Sequence, residues 1–166
     1  MMLALLGIVG GFIRQSAGIQ KVTEFGERHR VHLQNTLAGI GKEVQDAWSI
    51  STPTTGPASE LIFTRINGQM DGTRLPSIPQ APNPLPTTFD VLPASAMLTV
   101  RYYVSGEEIR RQVSQPTYPT SDAALFGPAA GFSATRLSDN ALEITISTQK
   151  DLVVESSTIR IVCPCL

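Results

Sequence analysis

Two histidines, His29 and His32, stand three residues apart, a spacing that puts both imidazoles on one face of a helix. That is half of a zinc site. A closed site needs further ligands, and Glu24 and Glu27 offer only weak help, while Arg28 and Arg30 repel a cation. Solvated histidines are the favoured reading, and no metal is expected. Because these are the chain's two histidines, a Ser-His-Asp or Cys-His nucleophile is poorly supported. The sequence has no phosphate-binding glycine loop and no G-x-S-x-G elbow. Glu107-Glu108 falls in a turn signal, poor ground for a catalytic acid. The motifs thus point away from an enzyme, and no cofactor is expected.

Cys163 and Cys165 close the chain in Cys-Pro-Cys-Leu. The terminal four residues mimic a prenylation box, but no polybasic stretch precedes them and the proline is unfavourable. Two readings stay open: a small strained disulfide in an oxidising compartment, or two thiols at a terminus. A two-cysteine metal site lacks partners.

The elements that must carry these residues are read from composition and periodicity. The 166 residues have a formal net charge of −1, which gives no electrostatic case for nucleic acid. Charged residues make up 16% of the chain, against roughly 25% in ordinary globular proteins. Ser, Thr and Pro fill the gap, a balance that suits a secreted or periplasmic surface.

Met1 to Ile13 carries no charge. As a helix rising about 1.5 Å per residue it would span roughly 20 Å, short of a bilayer core of about 30 Å. It also lacks the basic start and cleavage site of a secretory signal. It reads either as a buried core helix or as the end of a longer membrane segment that begins upstream. From Gln15 to Ser49 there is no proline. Leu33, Leu37, Ile40, Val44 and Trp48 recur at intervals of three and four, an apolar stripe with Lys42, Glu43, Gln45 and Asp46 off it. The spacing predicts a helix to near Ile50, its second half docked on a domain through that stripe. Gly18, Gly26, Gly39 and Gly41 each cost roughly 1 kcal/mol in a helix interior, so they mark close approach to a neighbour, a bend or local melting, or plain tolerance.

Residues 1–50 are therefore expected to be helical and 51–166 to form a β domain. Leu61 to Arg65 reads as a strand closed by Asn67-Gly68. A Pro-rich excursion covers 75–93. Leu98, Val100, Tyr102 and Val104 alternate into a turn at Ser105-Gly106-Glu107, and Ile109 to Val113 return. Gln115 to Gly131 reads as irregular. Strands follow at Phe132–Arg136, around Leu142, Ile144 and Ile146, and around Ile159, Ile161 and Cys163. The expected class is α+β, a long N-terminal helix packed on an antiparallel sheet.

The order apolar helix, amphipathic helix, Leu61-Ile-Phe-Thr-Arg65, then Leu98-Thr-Val-Arg-Tyr-Tyr-Val104-Ser-Gly-Glu-Glu-Ile-Arg-Arg111, and later Gly131-Phe-Ser-Ala-Thr-Arg136, resembles minor pilins and pseudopilins of type IV pili and type II secretion systems. Among these it is most similar to the PulJ/PilW-like, J-type group. The resemblance implies a pilin-like fold and a structural subunit in a tip or priming complex. Leu3, Leu5, Leu6, Ile8, Val9, Phe12 and Ile13 would be its membrane and filament-core anchor. It implies as partners other pilins, the inner membrane before assembly and assembly platform proteins, with the β domain periplasmic or extracellular. The prepilin hallmarks, a basic leader ending in glycine, an aromatic residue and an early glutamate, do not occur before Leu3; the resemblance implies that the natural apolar segment starts upstream of Met1. Two other function classes stay open: a membrane-anchored binding module acting through residues 75–93 or 115–131, and a membrane-tethered periplasmic enzyme, for which the motifs give no support.

Overall fold

The computed structural model describes residues 26–66, 97–115, 118–150 and 153–163. The apolar run with Leu3 to Ile13, the Asn67-Gly68 turn and the Pro-rich excursion 75–93 lie outside them. The chain divides into two compact units, Met1–Asn35 and Thr36–Leu166. In the first, residues 26–35 are helical, and all of 26–32 is exposed or half-buried; Leu33 is buried. The helix, α1, covers 26–45, and its residues 36–45 belong to the second unit.

The expected α+β class, a long N-terminal helix packed on one sheet, is not what forms. The described chain is mostly strand, in two antiparallel sheets, with α1 as the single short helix. The five-stranded sheet A has the order β1-β3-β4-β5-β6 and the four-stranded sheet B the order β2-β7-β8-β9. Sheet A is built from Ala47–Thr52 (β1), Glu60–Ile66 (β3), Met97–Ser105 (β4), Glu108–Gln115 (β5) and Tyr118–Phe126 (β6). Sheet B is built from Gly56–Ala58 (β2), Gly131–Ser138 (β7), Ala141–Lys150 (β8) and Val153–Val162 (β9).

Three local expectations are corrected with the class. The helix stops at residue 45, not near Ile50, and the amide of Asp46 donates to the Glu43 carbonyl at 3.3 Å as it ends. Ala47 and Trp48 continue the helical spacing, yet β3 offers a ladder to Trp48-Ser-Ile-Ser-Thr, and pairing overrides local periodicity. Trp48 therefore lies half-buried in β1 and is not part of a helical stripe. Gln115–Gly131 is not irregular throughout: it holds β6, whose Pro119, Asp122 and alanines are weak strand formers recruited by β5.

The hairpin of β4 and β5 is regular, with Ser105 opposite Glu108 and Gly106 at a left-handed φ of 62° in the turn. Alternation buries Leu61 and Phe63 from β3, Leu98, Val100 and Tyr102 from β4, and Ile109 and Val113 from β5. Sheet B contributes Phe132, Ala134, Leu142, Ile144, Ile146 and Ile161, and β7 lies against β3 and β4. Leu37, Ile40 and Val44 of α1 enter the same core, each at most 5% exposed.

At Gly41, α1 comes close to β9. A β-carbon there would stand 3.1 Å from Cδ1 of Ile159 and 3.7 Å from Ile161, whereas one on Gly39 would meet nothing within 4 Å. Gly41→Leu should therefore cost about 1–3 kcal/mol through overpacking, while Gly39→Ala should gain up to about 1 kcal/mol of helix propensity. Chemical unfolding midpoints of the two variants should move in opposite directions; equal shifts would contradict the close approach.

Candidate functional site

The polar centre of the second unit starts with parity. In β3, Arg65 follows Leu61 and Phe63 at strand spacing, and in β5 Arg111 sits between Ile109 and Val113. Alternation thus assigns two guanidiniums to the buried face of sheet A. Burying such charges is costly unless they are paired. The counter-charge comes from α1. Glu43 is 8% exposed, and its carboxylate lies among both arginines. Arg111 donates to it as a fork, Nε to Oε2 at 2.8 Å and Nη2 to Oε1. Arg65 Nε lies 3.2 Å from Oε1. The Tyr102 hydroxyl donates to Oε2, and Tyr102 stands directly opposite Arg111 in the β4–β5 ladder. The Tyr102 ring stacks on Phe63, with centroids 6.2 Å apart and planes 21° from parallel.

Electrostatics follow from burial. Desolvation, reinforced by the adjacent Glu43 carboxylate, pushes the Tyr102 phenol far above its ordinary 10.0, so it stays a donor. Burial alone would lower Arg111, but its hydrogen bonds and charge attraction to Glu43 outweigh that and raise it. The cluster is a fixed ion-pair network with a neutral phenol, arranged to hold α1 against sheet A.

A second cluster covers the opposite face of the same strands. Arg101 donates to Glu60 at 2.7 Å and its guanidinium lies 4.4 Å from the centre of the Tyr103 ring. Tyr103 donates to Asp122 at 2.7 Å, and Arg110 bridges Asp122 at 3.0 Å and Glu108 at 2.8 Å. The Tyr103 hydrogen bond, aided by Arg110, holds the Asp122 carboxyl below its ordinary value. Arg101, Arg110 and Arg111, neighbours in sequence terms, are thus each matched by a carboxylate. Beside this cluster is a cavity of about 270 Å³ lined by Glu60, Arg101, Tyr103, Val104, Gly131 and Phe132, among others. That is below the roughly 300–1,000 Å³ of small-molecule sites.

Leu37, Ile40 and Val44 come together in the core, and Trp48 does not join them on a helix. His29 is half-buried and His32 exposed on α1. Among the described residues no group of three or more His, Cys, Asp or Glu is placed to hold a metal. Cys163 is buried, its Sγ 3.5 Å from the Val44 carbonyl, while Cys165 and any bond to it lie outside the described residues. Among the described residues no helix is long and apolar enough to cross a membrane. Helical spacing alone puts Glu43 on the polar side of α1, so the local pattern does not show the cluster. The signal was present in the parity of Arg65 and Arg111, two charges in buried positions that require a buried carboxylate.

Two tests follow from this centre. Glu43→Ala leaves two guanidiniums and a phenol without their acceptor and should cost about 3–5 kcal/mol. Replacing Glu43 by Met together with Arg111→Met should cost less than Glu43→Ala alone, in a chemical-denaturation comparison. In alkali, unfolded Tyr102 ionises near 10 while the folded phenol does not. Its raised value therefore contributes stability that is complete below pH 10 and lost as pH rises. Tyr102→Phe should flatten the decline of stability above pH 10 by up to about 1.4 kcal/mol per pH unit, read from unfolding curves between pH 9 and 11.5; an unchanged slope would contradict the buried phenol. Compared with known proteins, the chain matches no family model, no curated protein and no solved structure.

Proposed function

We propose that this chain is a structural subunit, a minor pilin or pseudopilin that assembles through its apolar N-terminal segment into a type IV pilus or type II secretion pseudopilus, in a tip or priming complex. The observation that carries the proposal is the fastening of residues 36–45 of α1 into the β body by Glu43, Arg65, Arg111 and Tyr102. An exposed to half-buried stretch at 26–32 and the uncharged run Met1–Ile13 precede it on the same chain. A subunit that polymerises by burying one end of a helix needs the other end held firmly in its globular part. The sequence order of the motifs around Arg101-Tyr-Tyr103 and Arg110-Arg111 adds to this reading. Its partners would be other pilins, assembly platform proteins and, before assembly, the inner membrane. The binding-module alternative through 115–131 is weakened, because β6 occupies much of that segment.

The test is fractionation of the native host. The protein should be recovered with membranes and, where the system is a pilus, with sheared surface filaments. Leu6→Asp with Val9→Asp should remove it from both while leaving the unfolding midpoint of the β body unchanged. Recovery of the unaltered protein in the soluble fraction alone would end the proposal. Mass spectrometry of the membrane-derived N-terminus would add a processed aromatic start upstream of Met1 if a prepilin peptidase acts on it.

A further inference from the structure

Among the described residues the two sheets end in four edge strands, and three of them are blunted against pairing. β1 meets β3 with two register shifts, β6 meets β5 with two and carries Pro119, and β2 is three residues long with Pro57 at its centre. β9 is different. It runs ten residues without proline, its ladder to β8 has no irregularity, and among the described residues it pairs only with β8. An edge of that length and regularity is a template for another strand.

The side chains of β9 say which strand. Val154 and Val162 are 59% and 61% exposed, two of the four large hydrophobics left in solvent among the described residues. Both have the same parity, so both project from one face, and both lie four residues from Thr158. A twofold axis perpendicular to a sheet keeps each face continuous across an antiparallel junction. Residues equidistant from the axis then stand opposite one another. With the axis at Thr158, each Val154 meets the other copy's Val162, twice by symmetry, and Thr158 meets its own copy. The remaining outward residues, Ser156 and Arg160, are polar and face one another, and Arg160 is already matched by Glu143 at 2.7 Å. No like charges are brought into opposition.

We propose that β9 pairs antiparallel with β9 of a second copy of this chain about a twofold axis at Thr158, joining two four-stranded sheets into one of eight strands. The pairing does not depend on the filament reading and concerns a different part of the molecule. The test uses the full chain in a non-ionic detergent, with sedimentation equilibrium reporting mass. The unaltered protein should dimerise. Val154→Lys should raise the dimer dissociation constant by about tenfold or more, because a charge then faces a valine at both contacts. Adding Val162→Glu to that variant should restore dimerisation, whereas adding Val162→Lys should not. The two positions lie roughly 27 Å apart along one strand, so restoration must act between copies. All variants should keep the unfolding behaviour of the monomer. A protein that stays monomeric at tens of micromolar overturns the proposal. So does association unaffected by Val154→Lys, which would place the contact elsewhere. Equal behaviour of the Glu and Lys double variants would refute the register.

Discussion

The buried carboxylate of Glu43 is the constraint on which the rest of the second unit depends. Two guanidiniums face the interior of sheet A because strand parity leaves Arg65 and Arg111 nowhere else to point. Without Glu43 the sheet would bury two uncompensated charges, so α1 is needed as much for its charge as for Leu37, Ile40 and Val44. Arginine suits the position better than lysine, since its planar fork meets both carboxylate oxygens at once. Such a network adds little net stability over a well-packed apolar core, but it is selective. Sliding α1 by one turn moves Glu43 about 5.4 Å, enough to break every bond it makes while leaving an apolar stripe able to find new contacts. Charge fixes the register that hydrophobic burial alone would leave loose.

The hairpin of β4 and β5 uses the same logic twice. Tyr102 and Tyr103 are adjacent, as are Arg110 and Arg111, so each pair sends one member to each face of the sheet. Tyr102 and Arg111 go inward to Glu43; Tyr103 and Arg110 go outward to Asp122. The chemistry is similar and the consequences differ. Inside, the low dielectric strengthens the pairing and makes its loss expensive. Outside, water and salt screen the ladder from Glu60 to Asp122, and exposed pairs of this kind contribute little. The outer cluster orders a surface, and the inner one positions a helix.

This division explains what was legible in the sequence. The strands around Leu61, Leu98 to Val104 and Leu142 to Ile146 were visible because alternation of apolar and polar residues reports one buried face. The stripe Leu37, Ile40 and Val44 was visible for the same reason at helical period. What failed depended on partners far away in the chain. β1 was hidden because Ala47 and Trp48 fit a helical period until β3 claims them. β6 and β2 were hidden because proline and alanine give no alternation, and only a neighbouring edge makes them strands. The existence of two sheets, with β2 leaving the neighbourhood of β1 to join β7, is pairing information that no local window holds. Glu43 was misassigned because a charged residue beside an apolar stripe is exposed by default, and the reason it is not lies at positions 65, 102 and 111.

In a filament subunit the same arrangement has a mechanical consequence. Load on a polymer assembled as proposed would enter the β body through residues 36–45 of α1. Apolar packing is non-directional and yields by slippage. A forked ion pair backed by a phenol and two strands does not, because any displacement separates charges in a poorly solvated site. Gly41 contributes from the other side, letting the helix backbone approach Ile159 and Ile161 of β9 closely enough that a larger residue would lift it away. Cys163, just beyond β9, reaches the Val44 carbonyl and ties the end of that strand to the same turn of α1. Both sheets thus grip the short span from Gly41 to Val44, and the segment that the proposed function would load is the one the fold holds from two sides.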